Sequence, residues 1–139
     1  MRPEAAPWLT FANEDLRMAL LARANGISNQ ACFHVQQCCE KILKAVLLDA
    51  NVIPPRSHKM ADLLPRIPTP LPLDLHDSLL SLDRFYIPTR YPDALPGGIE
   101  GGLPSEEDVI QAFKATVAFT AWVNRNGLRF SFSLPPVTE

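Results

Sequence analysis

Histidine, cysteine and arginine are the residues of this chain with the most chemistry to offer, and their spacing decides how much. His34 and Cys38 stand four apart on what reads as a helix, so an imidazole and a thiolate share one side of it. Two ligands do not close a metal site, and none of the next candidates is near in sequence, so neither a metal nor another cofactor is expected. Cys32, Cys38 and Cys39 are odd in number and lie on one segment. Successive helical residues point about 100° apart, so the adjacent Cys38 and Cys39 do not bridge easily, and reduced thiols acting as small packing groups are the simplest reading. Gly97-Gly98 and Gly101-Gly102 precede a helix start that could hold an anion. Glu100, Glu106, Glu107 and Asp108 surround that start and repel phosphate, and no Gly-Lys-Ser/Thr follows, so a connection with an acidic helix cap is favoured. Arg90 beside Tyr91, with Tyr86 just upstream, is a stronger candidate: guanidinium binds phosphate or carboxylate, and tyrosine stacks on a base. The competing account has Tyr91 anchoring its loop and Arg90 pairing with Asp93 or Asp83. Lys41, Lys44, Arg56, His58 and Lys59 add positive charge if the fold gathers them. The ligand-binding candidates are therefore Arg90, Tyr91, Tyr86, His58 and Lys41, and no catalytic residue is assigned.

Five helices must position these groups. The first is predicted over about 7–24, with Pro7 at its first position and Trp8, Ala12, Leu16, Ala19, Leu20 and Arg23 at helical spacing, stopped by Asn25-Gly26. Ser28 caps a second helix ending near Asp49 or Ala50. On it Ala31, Val35, Cys38, Cys39, Ile42, Ala45 and Val46 form the apolar face, and Gln36, Gln37, Glu40, Lys41 and Lys44 fall opposite, with Phe33 among them. Within that polar side Phe33, Gln37, Glu40 and Lys44 share a sector read as exposed, which suits a partner helix or a second copy. Ser57 caps a short third helix carrying Met60, Leu63 and Leu64, which Pro65 ends or bends. A fourth helix over about 73–86 buries Leu75, Leu79, Leu82 and Tyr86. Residues 88–104 carry four prolines and four glycines, a long loop. Ser105 opens a fifth helix with acids at its positive end and a stripe of Ile110, Phe113, Val117 and Ala121, stopped by Arg125-Asn126-Gly127.

The expected architecture is all-α: an antiparallel up-and-down bundle of four to five helices with a long Pro/Gly-rich loop before the last. One domain spans 1–139, with its core over about 7–126 and a tail over 127–139 that could lie extended against the bundle or a partner. The chain has 139 residues, 47% hydrophobic and 20% charged, with a formal net charge of −2. No global basic field draws in nucleic acid, so such binding needs a local patch. No apolar run is long enough to cross a bilayer, and no basic segment leads into an apolar one at the start, so a cytoplasmic protein is expected.

The run Ala31-Cys32-Phe33-His34-Val35-Gln36-Gln37-Cys38-Cys39-Glu40-Lys41-Ile42-Leu43-Lys44-Ala45 resembles the signature of the HEPN domain family, named for nucleotide binding in higher eukaryotes and prokaryotes. That family shows a small residue, an aromatic, often His, then Gln-Gln, two small residues, Glu-Lys and a later Lys. Trp8 to Leu16, Ser57-His58 with Leu63-Leu64, and Tyr86-Ile87-Pro88-Thr89-Arg90-Tyr91-Pro92-Asp93 match further segments in order. The resemblance implies a helical bundle that usually pairs with itself. Members often accompany minimal nucleotidyltransferases, some are ribonuclease toxins, and some are proposed to bind nucleotides.

The ribonuclease members carry Arg, four to six residues, then His, so that a cation steadies the phosphorane charge while an imidazole moves a proton. Upstream of His34 those positions are Ile27, Ser28 and Asn29; upstream of His58, Asn51, Val52 and Ile53; upstream of His76, Thr69, Pro70 and Leu71. None is Arg. The sequence therefore favours a non-catalytic HEPN-type interaction module, homodimeric, partnering a minimal nucleotidyltransferase or binding a nucleotide. The alternatives are an enzyme cleaving RNA or nucleotide phosphates with a rearranged site, and a structural helical protein without a small ligand.

Overall fold

The computed structural model describes residues 2–86 and 103–127. These are all-helical, with no strand among them. A turn of 3-10 helix over Pro3–Ala5 leads into α1 (Ala6–Ala24), followed by α2 (Ser28–Asp49), α3 (Met60–Leu63), α4 (Leu73–Ser81) and α5 (Glu106–Arg125). Two more 3-10 turns, Leu64–Arg66 and Leu82–Phe85, extend α3 and α4. No helix among the described residues is long and apolar enough to cross a membrane. The predicted loop over 88–104 lies, except for its last two residues, outside the described residues, as does the tail beyond residue 127.

The α1–α2 hairpin is set by two like stops. Gly26 sits at φ +73°, its N–H donates to the Arg23 carbonyl, and the Ile27 N–H reaches back to the Ala22 carbonyl at 2.8 Å. At the far end of α2, Asn51 takes φ +60° and the Val52 N–H donates to the Leu47 carbonyl at 2.8 Å. Both are Schellman closures, which need one residue in the left-handed region. Glycine adopts it without a Cβ clash, and Asn is the side chain that tolerates it best.

Helix α2 is the axis of the fold. It packs along α1 on one side and α5 on another, and α3 and the turn after α4 cover a third. The predicted apolar residues are buried, apart from half-buried Val46, and Cys32, Leu43 and Leu47 join them. The polar face departs from expectation. Gln36 is fully buried, Glu40 is 1% exposed and Lys44 6%. Glu40 and Lys44 thus do not form an outward sector with Phe33 and Gln37, because neighbours on three sides leave α2 only a narrow strip of surface.

Other elements show smaller shifts. Ser57 does not cap α3; its hydroxyl donates to Asp62 and accepts from the Lys59 N–H. The first α3 amides, Met60 and Ala61, donate instead to the Asp83 carboxylate at 2.7 and 3.0 Å. An acid far along the chain thereby caps this helix and ties it to the end of α4. In α5 the predicted opening residue Ser105 and Asp108 cap each other reciprocally. Its inner face holds Val109, Phe113, Thr116, Phe119 and Val123, whereas Val117 and Ala121 point out. Thr116 can take a buried place because its hydroxyl donates to the Ala112 carbonyl and meets Cys39 Sγ at 3.3 Å.

Candidate functional site

The polar residues of α2 are spent on contacts that hold other segments in place. Lys44 Nζ donates to Glu40 Oε1 at 2.8 Å, one turn away, and lies 5.1 Å from the centre of the Trp8 ring. A buried ammonium is thus neutralised by a carboxylate and faced by an indole from α1, the arrangement a desolvated cation needs. The same Glu40 Oε1 lies 3.0 Å from His58 Nδ1, so one buried oxygen receives two donors. The other oxygen, Oε2, is buried with no hydrogen-bond partner among the described residues.

His58 precedes α3 and is clamped at three points. Gln36 Nε2 donates to its main-chain carbonyl at 2.7 Å, and Gln37 Nε2 donates to Gln36 Oε1 at 2.7 Å, which fixes the Gln36 amide. Glu40 takes Nδ1. Tyr86, just past the turn after α4, stacks on the imidazole, with ring centres 5.2 Å apart and planes at 10°. The His58 side chain is nevertheless 58% exposed. In a neutral imidazole held this way the proton sits on Nδ1, because a carboxylate only accepts, and Nε2 keeps its lone pair.

Tyr86 continues the surface to Phe33, whose ring centre is 6.2 Å away, and Phe33 meets His34 edge-on at 5.2 Å. His34 Nδ1 lies 2.9 Å from Asp15 Oδ1 on α1, and Lys41 Nζ donates to Asp15 Oδ2. A contact chain therefore runs from His58 through Tyr86, Phe33, His34 and Asp15 to Lys41.

Of the predicted ligand-binding residues, the structure joins His58 directly to Tyr86 and reaches Lys41 along that chain, where its charge is taken up by Asp15. Arg90 and Tyr91 lie outside the described residues. Of the predicted interface set, Glu40 and Lys44 are interior, while Phe33 and Gln37 are half-buried at the surface. Sequence reasoning missed Asp15, and it named Asp83 only as a partner for Arg90 and not as the cap of α3; both acids find their partners on other elements. The Gln-Gln pair carried a usable signal for the role of Gln36, since it sits one turn before Glu40 on the same strip.

The thiols are interior. Burial pushes Cys32 and Cys39 up to about 12 and raises Cys38 as well, so none is a nucleophile at neutral pH. Among the described residues no group of three or more His, Cys, Asp and Glu is placed to hold a metal ion. A cleft of about 220 Å³ opens between the ends of α2 and α5, lined by Val46, Asp49, Ile67 and Trp122 among others; none of the predicted site residues among those described borders it.

Comparison with known proteins agrees with this geometry. The family model of the HEPN domain matches residues 5–126. The crystal structure of TT1696 from Thermus thermophilus superposes with a TM-score of 0.77 at 32% identity, covering 89% of this chain and 98% of that one. The crystal structure of ST0689, an archaeal HEPN homologue, gives a TM-score of 0.71 at 30% identity, covering 91% and 98%. No curated protein matches. With its helical order, its central Gln-Gln…Glu-Lys helix and a family match over nearly the whole bundle, this chain belongs to the HEPN domain family.

Proposed function

We propose that the chain is a non-catalytic HEPN interaction module that pairs with a second copy of itself, works as the partner of a minimal nucleotidyltransferase in the cytoplasm, and receives a nucleotide at the surface around His58 and Tyr86. The observation that carries this reading is the direction of the α2 polar run. Gln36, Glu40 and Lys44 are consumed in holding the fold, and what they leave at the surface is a clamped imidazole stacked on a tyrosine. Such a surface suits recognition: aromatic rings take a base, and nearby cations take phosphate. Arg90 and Tyr91 follow Tyr86 closely in sequence and extend the ligand-binding set, with Lys41 at its far side. Phe33 and Gln37, half-buried at the surface, remain the α2 residues that suit contact with a second copy. The absence of Arg at the ribonuclease spacing supports a non-catalytic role.

Light scattering tests the pairing and calorimetry tests the nucleotide binding. A dimer at micromolar concentration together with measurable heat on titration with ATP or GTP is expected. A monomer at high micromolar concentration refutes the pairing, and no heat with either nucleotide refutes the ligand. One observation favours a second reading, an enzyme with a rearranged site: Glu40 and His58 form the carboxylate–imidazole pair that general bases use. Cleavage of RNA by purified protein, lost in both His58→Ala and Arg90→Ala, would establish that reading instead.

A further inference from the structure

We propose that His58 is a proton-linked anchor for a phosphate group of the ligand, and that buried Glu40 is the positioning residue that aims its imidazole. The inference deepens the nucleotide-binding reading and rests on it.

Three observations converge. A side chain that is 58% exposed ordinarily samples several rotamers, yet this one is held at its carbonyl by Gln36, at Nδ1 by Glu40 and across its face by Tyr86. That much restraint leaves one ring atom for chemistry, Nε2, on the edge opposite the carboxylate. Second, Glu40 is 1% exposed and its Oε2 has no partner among the described residues, so its charge is poorly screened and incompletely satisfied. Its contact with His58 Nδ1 fixes the ring's orientation and leaves Nε2 as the ring nitrogen not bound to the carboxylate. Third, the segment around His58 is cationic. Arg56 and Lys59 flank it and are exposed.

Other charges face this pair from neighbouring elements. Lys44 is bound to the same Oε1 and faced by Trp8. Asp62 accepts from Ser57, and Asp83 accepts the Met60 and Ala61 amides, so both nearby acids serve the loop's own structure. Tyr86 presents a ring face, which supports a cation stacked on it. Imidazolium Nε2–H, with Arg56 and Lys59 close to it in sequence and exposed, supplies donors for a phosphate oxygen.

The test compares wild type with His58→Gln and Glu40→Gln, using ATP, tripolyphosphate and adenosine as probes at fixed ionic strength. The readout is the ratio of wild-type to variant affinity at each pH, which cancels titration of the probe itself. For ATP and tripolyphosphate the wild-type to His58→Gln ratio should rise from near unity at about pH 8 to roughly ten-fold at about pH 6. For adenosine it should stay flat. In Glu40→Gln the nitrogen-15 spectrum of the His58 ring should lose its single Nδ1-protonated neutral form, a signature that mere loss of packing does not give. His58 is a surface residue, so His58→Gln carries the decision if Glu40→Gln does not fold. ATP binding with a flat ratio overturns the anchor while leaving the nucleotide reading intact. An equal rise for adenosine shows that His58 meets the base and overturns it too. No binding of ATP at either pH overturns the nucleotide reading and the anchor with it.

Discussion

Replacing Glu40 by Ala should destabilise the protein far more than its place in a polar run suggests. The side chain is 1% exposed and makes two contacts to cationic or ionisable partners, Lys44 at 2.8 Å and His58 at 3.0 Å. Truncation leaves Lys44, 8% exposed at its side chain, without a counter-charge. Removing one partner of a buried ion pair costs about 3–5 kcal/mol. The Trp8 ring remains over Lys44 and offsets about 0.5–2 kcal/mol of that, so a net loss of about 3 kcal/mol is expected. For a domain of this size the loss corresponds to a fall in Tm of roughly 10 °C. Urea unfolding followed by circular dichroism measures it, and the double variant Glu40→Leu/Lys44→Met provides the control. With both charges removed together no orphan remains, so the double variant should be more stable than Glu40→Ala. A loss below about 1 kcal/mol for Glu40→Ala, as expected of a surface pair, would refute the placement of this pair in the interior.

Asp83→Ala should cost about 1–2 kcal/mol by uncapping α3, and should broaden the His58 ring resonances, since the two α3 amides it binds follow His58 closely in sequence. Ser105→Ala should cost about 1 kcal/mol in the same unfolding assay through loss of the α5 capping box. The thiols predict an alkaline loss of stability. Their folded values are raised, to about 12 for Cys32 and Cys39, against an ordinary 9.0, so the stabilisation is complete below that ordinary value and is lost as pH climbs toward the folded one. Each buried thiol adds a slope of about 1.4 kcal/mol per pH unit within that window, and Cys39→Ala should remove one share of it. A disulfide reagent should accordingly label the native protein slowly and the urea-unfolded protein fast.

The helices were legible because their signals are local. Gly26 at a helix stop, Ser105 with Asp108 three residues on, and the apolar repeat of α2 are each read within a few turns of chain. The polar side of α2 was not legible for the opposite reason. A helical wheel sorts residues by angle and assigns polar ones to solvent, whereas the partners that draw Gln36, Glu40 and Lys44 inward sit on other segments: His58 on the loop before α3 and Trp8 on α1. The Glu40–Lys44 pair was visible as an i,i+4 spacing; its burial, which turns a weak surface pair into a costly interior one, was not. Thr116 and Val117 illustrate the same limit, since hydropathy places valine inside and the Ala112 carbonyl makes threonine the better tenant. At the candidate site, sequence supplied His58, Tyr86 and Lys41 as separate suspects, and only packing joined the first two face to face.

The central claim is that the α2 polar run faces inward and grips His58. The nitrogen-15 spectrum of the His58 ring at mildly alkaline pH tests this directly. A single neutral form with the proton on Nδ1 is expected, converted to a freely averaging imidazole in Glu40→Ala. A wild-type spectrum already averaged, or one with the proton on Nε2, would contradict it.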